Sequence, residues 1–245
     1  MARYFIDISY KGTAYAGFQI QQNANTIQAE IEKALHVFTR HPLELTGSSR
    51  TDAGVHALQN FFHFDVPDSL QTDWSQAAYH LNAILPADIA VHEIRQVAPD
   101  AHCRFDAIAR TYEYTIYTHK DPFLDDRAYY FPYTMDLGLL NEAARLLQHT
   151  QHFETFAKRN SQVHTYQCTL MESHWENKGK HQLVYRVRGN RFLRGMVRGL
   201  VGTMVRVGTR KTSLAEFEAI IAGNDPTRAD FSMPAKGLTL IEVSF

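Results

Sequence analysis

The order of hydrophobic patterns along the chain predicts an α+β fold made of two similar halves. Three observations carry this expectation. Short runs that alternate polar and apolar residues, the period of a strand with one buried face, are interleaved with stretches whose apolar residues recur at the helical period. The succession strand, helix, strand, strand, helix, strand occurs twice in approximate form, which is the split β-α-β pattern of ferredoxin-like units. No Pro/Gly/Ser-rich tether separates the repeats. The halves, residues 1–105 and 106–245, are therefore expected to join their strands into one continuous, mainly antiparallel sheet flanked by helices.

In the first half, Arg3 to Tyr10 alternates as a strand, and Gly12 and Gly17 mark the loop that follows. A helix is predicted from Thr26 to Arg40, with Ile27, Ile31, Leu35 and Phe38 on one stripe and Asn25 or Thr26 as its cap. The Phe-rich segment Asn60 to Val66 reads as a strand, Asp73 to Ala83 as a helix stopped by Pro86, and Ile89 to Val97 as another strand. The second half opens with a strand at Thr111 to Thr118 and a helix at Leu137 to His149 after Asp136. Strands follow at Thr165 to Trp175 and Gln182 to Gly189, then a long helix at Asn190 to Gly208. Ser213 and Glu216 form a capping box for a helix ending near Gly223, and Leu238 to Phe245 reads as a closing strand.

Composition narrows the class. At 44% hydrophobic and 21% charged residues, 245 residues can bury a substantial core. Met1 to Gly12 lacks the uninterrupted apolar core of a secretory signal and no apolar run has membrane-spanning length, so a cytoplasmic protein without a membrane partner is expected. Two cysteines, Cys103 and Cys168, cannot build a disulfide framework and read as small buried apolar residues. His56 and His63 lie in a turn and a strand without further ligands at metal spacing, so polar contacts rather than a metal are expected.

The net charge of −1 conceals an uneven distribution. Residues 177–211 carry ten Lys or Arg and no Asp or Glu, which leaves 15 basic against 26 acidic residues elsewhere. A concentrated basic zone on an acidic body is the footprint of a polyanion partner; the alternative is a solvated cationic helix face. The second notable stretch is Gly47-Ser48-Ser49-Arg50-Thr51-Asp52-Ala53-Gly54-Val55-His56-Ala57. Small and turn-forming residues surround one carboxylate in a loop whose backbone can approach a ligand, although a T-D-A-G tetrapeptide alone is equally an ordinary Asp turn.

Six ordered segments carry a family resemblance. They are Tyr10-Lys11-Gly12-Thr13-x-Tyr15-x-Gly17-Phe18-Gln19 and Thr26-Ile27-Gln28; Arg50 to Ala57; Arg104-Phe105-Asp106-Ala107 with Ala109-Arg110-Thr111-Tyr112-x-Tyr114; Met196-Val197-Arg198; and Pro234-Ala235-Lys236-Gly237-Leu238. Over nearly the whole chain the sequence resembles the TruA-type tRNA pseudouridine synthases. The resemblance implies the pseudouridine synthase fold and an isomerase that converts uridine to pseudouridine at tRNA positions 38 to 40 in the anticodon stem-loop, with no cofactor. It implies that Asp52 is catalytic, as nucleophile or as base, and that Arg198 keeps its carboxylate charged. By the same resemblance Tyr112 stacks on the target uracil, and Arg50 fills the place of the flipped nucleotide. The basic residues Lys178, Lys180, Arg186, Arg188, Arg191 and Arg194 are then expected to contact tRNA, and a homodimer is implied. Ser49 stands where the family commonly has glycine, Phe18 where it often has Trp, and Met233 where a small residue is usual. A side chain at Ser49 is expected to alter either the φ/ψ of the Asp52 loop or the approach to the ribose, and so to shift rate or target choice rather than the chemistry. Intact Asp52, Tyr112 and Arg198 argue against a non-catalytic RNA-binding protein, whereas an enzyme acting at another RNA position stays open.

Overall fold

The alternating run near the N-terminus forms β1 (Ala2–Tyr10), and the apolar stripe after Thr26 forms α1 (Ile27–Thr39). A computed structural model describes residues 1–159 and 163–245. They fall into two units, Met1–Ile108 with Leu240–Phe245, and Ala109–Thr239.

In the first unit β2 (Thr46–Gly47), β3 (His56–Val66), α2 (Ala77–Ile84) and β4 (Ile89–Val97) follow α1. β1 pairs antiparallel with both β3 and β4, and β2 pairs antiparallel with β3. The spatial order β4-β1-β3-β2 is that of a split β-α-β unit. Thr26 caps α1 by accepting the Ala29 N–H at 3.3 Å, and Ile27, Ile31, Ala34 and Leu35 are buried along one stripe. On β1, Ile6 and Ile8 are fully buried, while Phe5 meets Phe61 and Phe245 on the opposite side of the strand. Each such aromatic or branched side chain contributes about 1.5–3 kcal/mol by leaving water.

The second unit contains β5 (Ala109–Tyr117), β6 (Tyr129–Tyr130), α3 (Leu137–Gln148), β7 (Leu170–Asn177), β8 (Gln182–Gly189), α4 (Met196–Gly208) and α5 (Leu214–Ala222). β8 lies between β5 and β7, antiparallel to each, and β6 is parallel to β5. β9 (Leu238–Ser244) begins in the second unit and ends in the first. Both the N–H and the carbonyl of Trp175 bond the Asn141 amide, at 2.8 and 2.9 Å, which fixes α3 against β7. The expected capping box is formed: Ser213 Oγ accepts the Glu216 N–H, and Glu216 accepts the Ser213 N–H. The fold is thus mixed α+β, with mainly antiparallel strands flanked by helices.

Four predicted elements shift, each for a local reason. The long helix expected from Asn190 starts only at Met196, because Gly195 takes a left-handed conformation (φ +72°) and ends the preceding loop. Arg191 and Arg194 therefore lie on that loop. α4 is not a cationic face either: only Arg198 and Arg206 among its residues escape full burial. The strand expected from Thr165 starts at Leu170, with Gln167 making only an isolated bridge to His152. Asp73 accepts the Ser75 N–H in a local turn, so α2 begins at Ala77 instead. β3 extends back to His56, since Ala57 and Asn60 face inward although the segment lacks a strong strand signature.

Two predictions follow from this packing. A Cβ at Gly202 of α4 would overlap the Asp230 carbonyl, whose own N–H is held by Thr203 Oγ1 at 3.0 Å. Gly202→Ala is expected to lower thermal stability by about 1–3 kcal/mol despite the better helix propensity of alanine, measurable by denaturation. His63 is buried, and burial lowers its pKa from 6.5 to about 4. The folded state then binds fewer protons than the unfolded chain between these values, so this stabilisation is complete above pH 6.5 and declines toward pH 4. His63→Gln is expected to weaken the acid dependence of the melting temperature over that interval.

Candidate functional site

Asp52 lies on the loop between β2 and β3, and its neighbours fix that loop from three sides. Thr51 is held at both its polar ends: its Oγ1 and the Tyr10 hydroxyl are 2.8 Å apart, and its carbonyl accepts the Phe18 N–H at 3.1 Å. The buried Asn60 amide donates to the Ser49 carbonyl at 2.8 Å and to the Tyr10 hydroxyl at 3.2 Å. Ser48 N–H donates to the Phe61 carbonyl. After Asp52 the chain turns, with Val55 N–H bonded to the Asp52 carbonyl and Gly54 at φ +78°, the conformation a type II turn needs at its third position. Asp52 itself is half-buried and Arg50 exposed, on either side of the buried Thr51.

Two glycines of the Tyr10–Gln19 segment make this approach possible. Gly17 (φ +112°) leaves only 3.1 Å between its would-be Cβ and the Thr51 carbonyl, and a Cβ on Gly12 would overlap the Val55 carbonyl. Gly12 N–H donates to His56 Nδ1 at 3.1 Å, so His56 serves the loop as a polar contact. Ser49 is buried and its φ is not positive, so its backbone is one that a non-glycine residue adopts without strain. Phe18 is fully enclosed and stacks on Phe62, with ring centroids 4.4 Å apart and planes 8° from parallel. Tyr10 and Asn60 hold the Asp52 loop in place, and the sequence reading gives neither a role. Tyr10 lay in a quoted segment, but the lone Asn60 in a Phe-rich strand gave no signal.

In the second unit Tyr112 lies on β5, buried to 8% exposure and edge-on to Phe192 at 5.1 Å. Phe192, inside the helix predicted over Asn190 to Gly208, belongs instead to the loop before α4. Arg198 is half-buried on the first turn of α4; its Nε donates to the Met233 carbonyl at 2.6 Å and its Nη2 to the Phe231 carbonyl at 3.4 Å. The Pro234–Leu238 segment follows directly. There the buried Tyr114 hydroxyl donates to the Pro234 carbonyl at 2.8 Å, and a Cβ on Gly237 would come 2.5 Å from the Tyr114 ring. Burial raises the Tyr114 pKa, so its hydroxyl is a proton donor in this bond.

Strand alternation divides the basic zone. Pairing of β5 with β8 sets Tyr112, Tyr114 and Ile116 opposite Val187, Tyr185 and Leu183, and sets Thr111 and Glu113 opposite Arg188 and Arg186. Arg186 and Arg188 thus stand on the sheet face opposite Tyr112. Arg186 is ion-paired twice, to Glu113 at 2.7 Å and to Glu172 at 3.3 Å. Absence of acids within residues 177–211 therefore does not leave the zone without anions, because β5 and β7 supply them across the sheet. Lys178 and Lys180 are exposed on the β7–β8 connection and line an open cleft with His119, Lys120 and His181; Lys178 is 3.9 Å from Glu113. Arg191 is half-buried and Arg194 exposed on the loop before α4.

Among the described residues, His63, His102 and Cys103 bring potential metal donors within 4.8 Å of one another. Their atoms already have partners. His63 Nδ1 faces the Cys103 sulfur at 3.2 Å, Cys103 Sγ donates to the Thr46 carbonyl, and His102 Nδ1 accepts the N–H groups of Arg104 and Phe105. His102 thus spends its Nδ1 lone pair on backbone donors, whereas a metal-bound imidazole commonly donates from its second nitrogen. No described helix is long and apolar enough to cross a membrane.

Comparison with known proteins accounts for these segments together. A family profile described as tRNA pseudouridine synthase matches residues 7–106 and 143–245. Proteins named tRNA pseudouridine synthase A are similar along their whole length. That of Porphyromonas gingivalis is 40% identical over 246 residues, covering 100% of this chain and 98% of the relative. That of Bacteroides fragilis is 42% identical, covering 99% and 96%. That of Staphylococcus saprophyticus is 38% identical, covering 98% and 90%. With both glycine-bearing segments, the carboxylate loop and the Arg198 helix inside the matched regions, the chain belongs to the tRNA pseudouridine synthase family.

Proposed function

We propose that the protein isomerises uridine to pseudouridine at positions 38 to 40 of the tRNA anticodon stem-loop, with Asp52 as the catalytic carboxylate and no cofactor. The observation that carries this reading is the immobilised, half-buried Asp52 loop in a chain of this family. The reaction breaks the bond from N1 to the ribose C1′, turns the uracil and forms a bond from C5 to the same carbon. C5 gives up a proton and N1 gains one, so no redox partner is needed. A carboxylate serves by attacking the sugar or by removing a sugar proton, and is regenerated either way.

Tyr112 supplies a flat face for the uracil, and Arg50 occupies the space the flipped nucleotide leaves, which offsets part of the few kcal/mol that unstacking costs. Arg198 favours the charged carboxylate, the form this chemistry requires. Within its own unit the Arg198 guanidinium donates to the carbonyls of Met233 and Phe231. Residues 1–105 carry the catalytic loop and residues 106–245 the stacking tyrosine. Lys178, Lys180, Arg186, Arg188, Arg191 and Arg194 contribute to tRNA binding, in which shape and backbone contacts outweigh base reading because A-form helices hide base edges. The active form is a cytoplasmic homodimer.

Chemical mapping of pseudouridine in unmodified tRNA tests the core of this reading. Asp52→Asn is expected to reduce product formation at least ~100-fold while leaving tRNA affinity nearly unchanged; wild-type rates in the variant exclude Asp52 as catalyst, and product only outside the anticodon stem excludes the target. Two arginines separate chemistry from binding. Arg198→Ala is expected to lower kcat far more than affinity. Arg188→Ala is expected to weaken binding and reduce the slope of log affinity against log salt by about one, read from titrations at several salt concentrations.

A further inference from the structure

Phe105 is the anomaly of the first unit. Its side chain is 74% exposed, although the loop carrying it, between β4 and β5, is held by several hydrogen bonds. Arg3 donates to the Ala101 carbonyl at 2.9 Å, and His102 N–H donates to Asp106 Oδ2 at 2.7 Å. The N–H groups of Phe105 and Asp106 both bond the His102 carbonyl. Cys103 is fully buried and its thiol donates to the Thr46 carbonyl, on the strand that leads into the Asp52 loop. Ile108 N–H bonds the Ser244 carbonyl. A flexible loop could tuck a phenyl ring against the protein; this one holds it in water.

The ring has company of a particular kind. The His102 imidazole lies 4.2 Å from it, centroid to centroid, tilted by 38°. The Arg104 guanidinium carbon is 5.6 Å from the ring centroid, in cation–π range. Aromatic faces edged by arginine are how proteins hold unpaired bases, which every base permits because every base has a π face. An apolar protein partner is less well matched, since His102, Arg104 and Asp106 flank the ring in the chain, with Ile108 the other large exposed apolar side chain of that loop.

We infer that Phe105, flanked by His102 and Arg104, is a stacking platform for an unpaired tRNA base outside the catalytic step. The inference rests on the proposed tRNA-modifying activity and deepens it, by assigning a second place where the RNA is gripped. Such a platform contributes affinity and register but no phosphate neutralisation.

The test uses the full-length protein and unmodified tRNA. Phe105→Ala is expected to bind tRNA roughly ten-fold or more weakly, the scale of one lost base–aromatic stack, with an unchanged salt slope. Phe105→Tyr is expected to bind like wild type, and the melting temperatures of both variants to stay near wild type because the side chain is exposed. In Phe105→Trp, the added fluorescence is expected to be quenched by tRNA and not by a fully paired RNA duplex. Unchanged affinity in Phe105→Ala overturns the inference, as does equal quenching by duplex. A changed oligomeric mass by light scattering with tRNA affinity intact also overturns it, assigning the ring to a protein contact. Conversion of tRNA by wild type and by Asp52→Asn is followed separately. A fully active Asp52→Asn overturns the catalytic assignment and leaves the platform standing, whereas a wild type that neither binds nor converts tRNA overturns both.

Discussion

The hydrogen-bonded knot of Tyr10, Thr51 and Asn60 is the constraint on which the carboxylate loop depends. It ties the end of β1 and the middle of β3 to the residue next to Asp52. The knot is buried, so removing one partner would strand the others without water, which costs more than the bond itself contributes. Its reach is short: Thr51 is fixed by its hydroxyl and its carbonyl together, and the chain on either side has little freedom left. A rigid base under a half-exposed acid is the pre-organisation that chemistry on a positioned substrate requires. The same logic appears in the second unit, where Arg198 is steered by two carbonyls rather than left as a mobile surface charge.

Much of this was legible in the sequence, and the reasons for the remainder are physical. Thr26, Asp136 and Ser213 acted as caps because the code for caps is local, a side chain reaching an N–H three residues away. The α+β class followed from periodicity, which needs only a dozen residues of context. Residues 190–195 read as helix in the sequence because Phe192, Met196 and Leu200 keep helical spacing, and a glycine in such a run does not announce a left-handed turn. Asn60 was invisible for the opposite reason: its partners, Ser49 and Tyr10, are 11 and 50 residues distant. Contacts at that separation leave no pattern in a single sequence.

The basic zone illustrates how charge along a chain differs from charge in space. A stretch of 35 residues without an acid reads as a cationic surface, yet the strands on both sides of β8 bring Glu113 and Glu172 to Arg186. Alternation further divides the arginines of β8 from the tyrosine that the family resemblance sets over the uracil. The exposed cations of the zone, Lys178, Lys180, Arg194, Arg210 and Lys211, all lie on connections, and of these Lys178 still reaches Glu113 of β5 at 3.9 Å.

The division of β9 between the units bears on how the chain is made. Residues 240–245 complete the first unit, beside β3, but in the chain they follow the whole second unit. Until they are made, part of the β3 edge has no strand to pair its amide and carbonyl groups, and such edges are where incomplete chains associate wrongly. The short β2 occupies Phe62 and His63 of that strand, and so shields part of it throughout. A chain lacking Leu240 onward would accordingly leave the unit that carries the carboxylate loop without its closing strand, so the first unit is completed only after the whole second unit has been made.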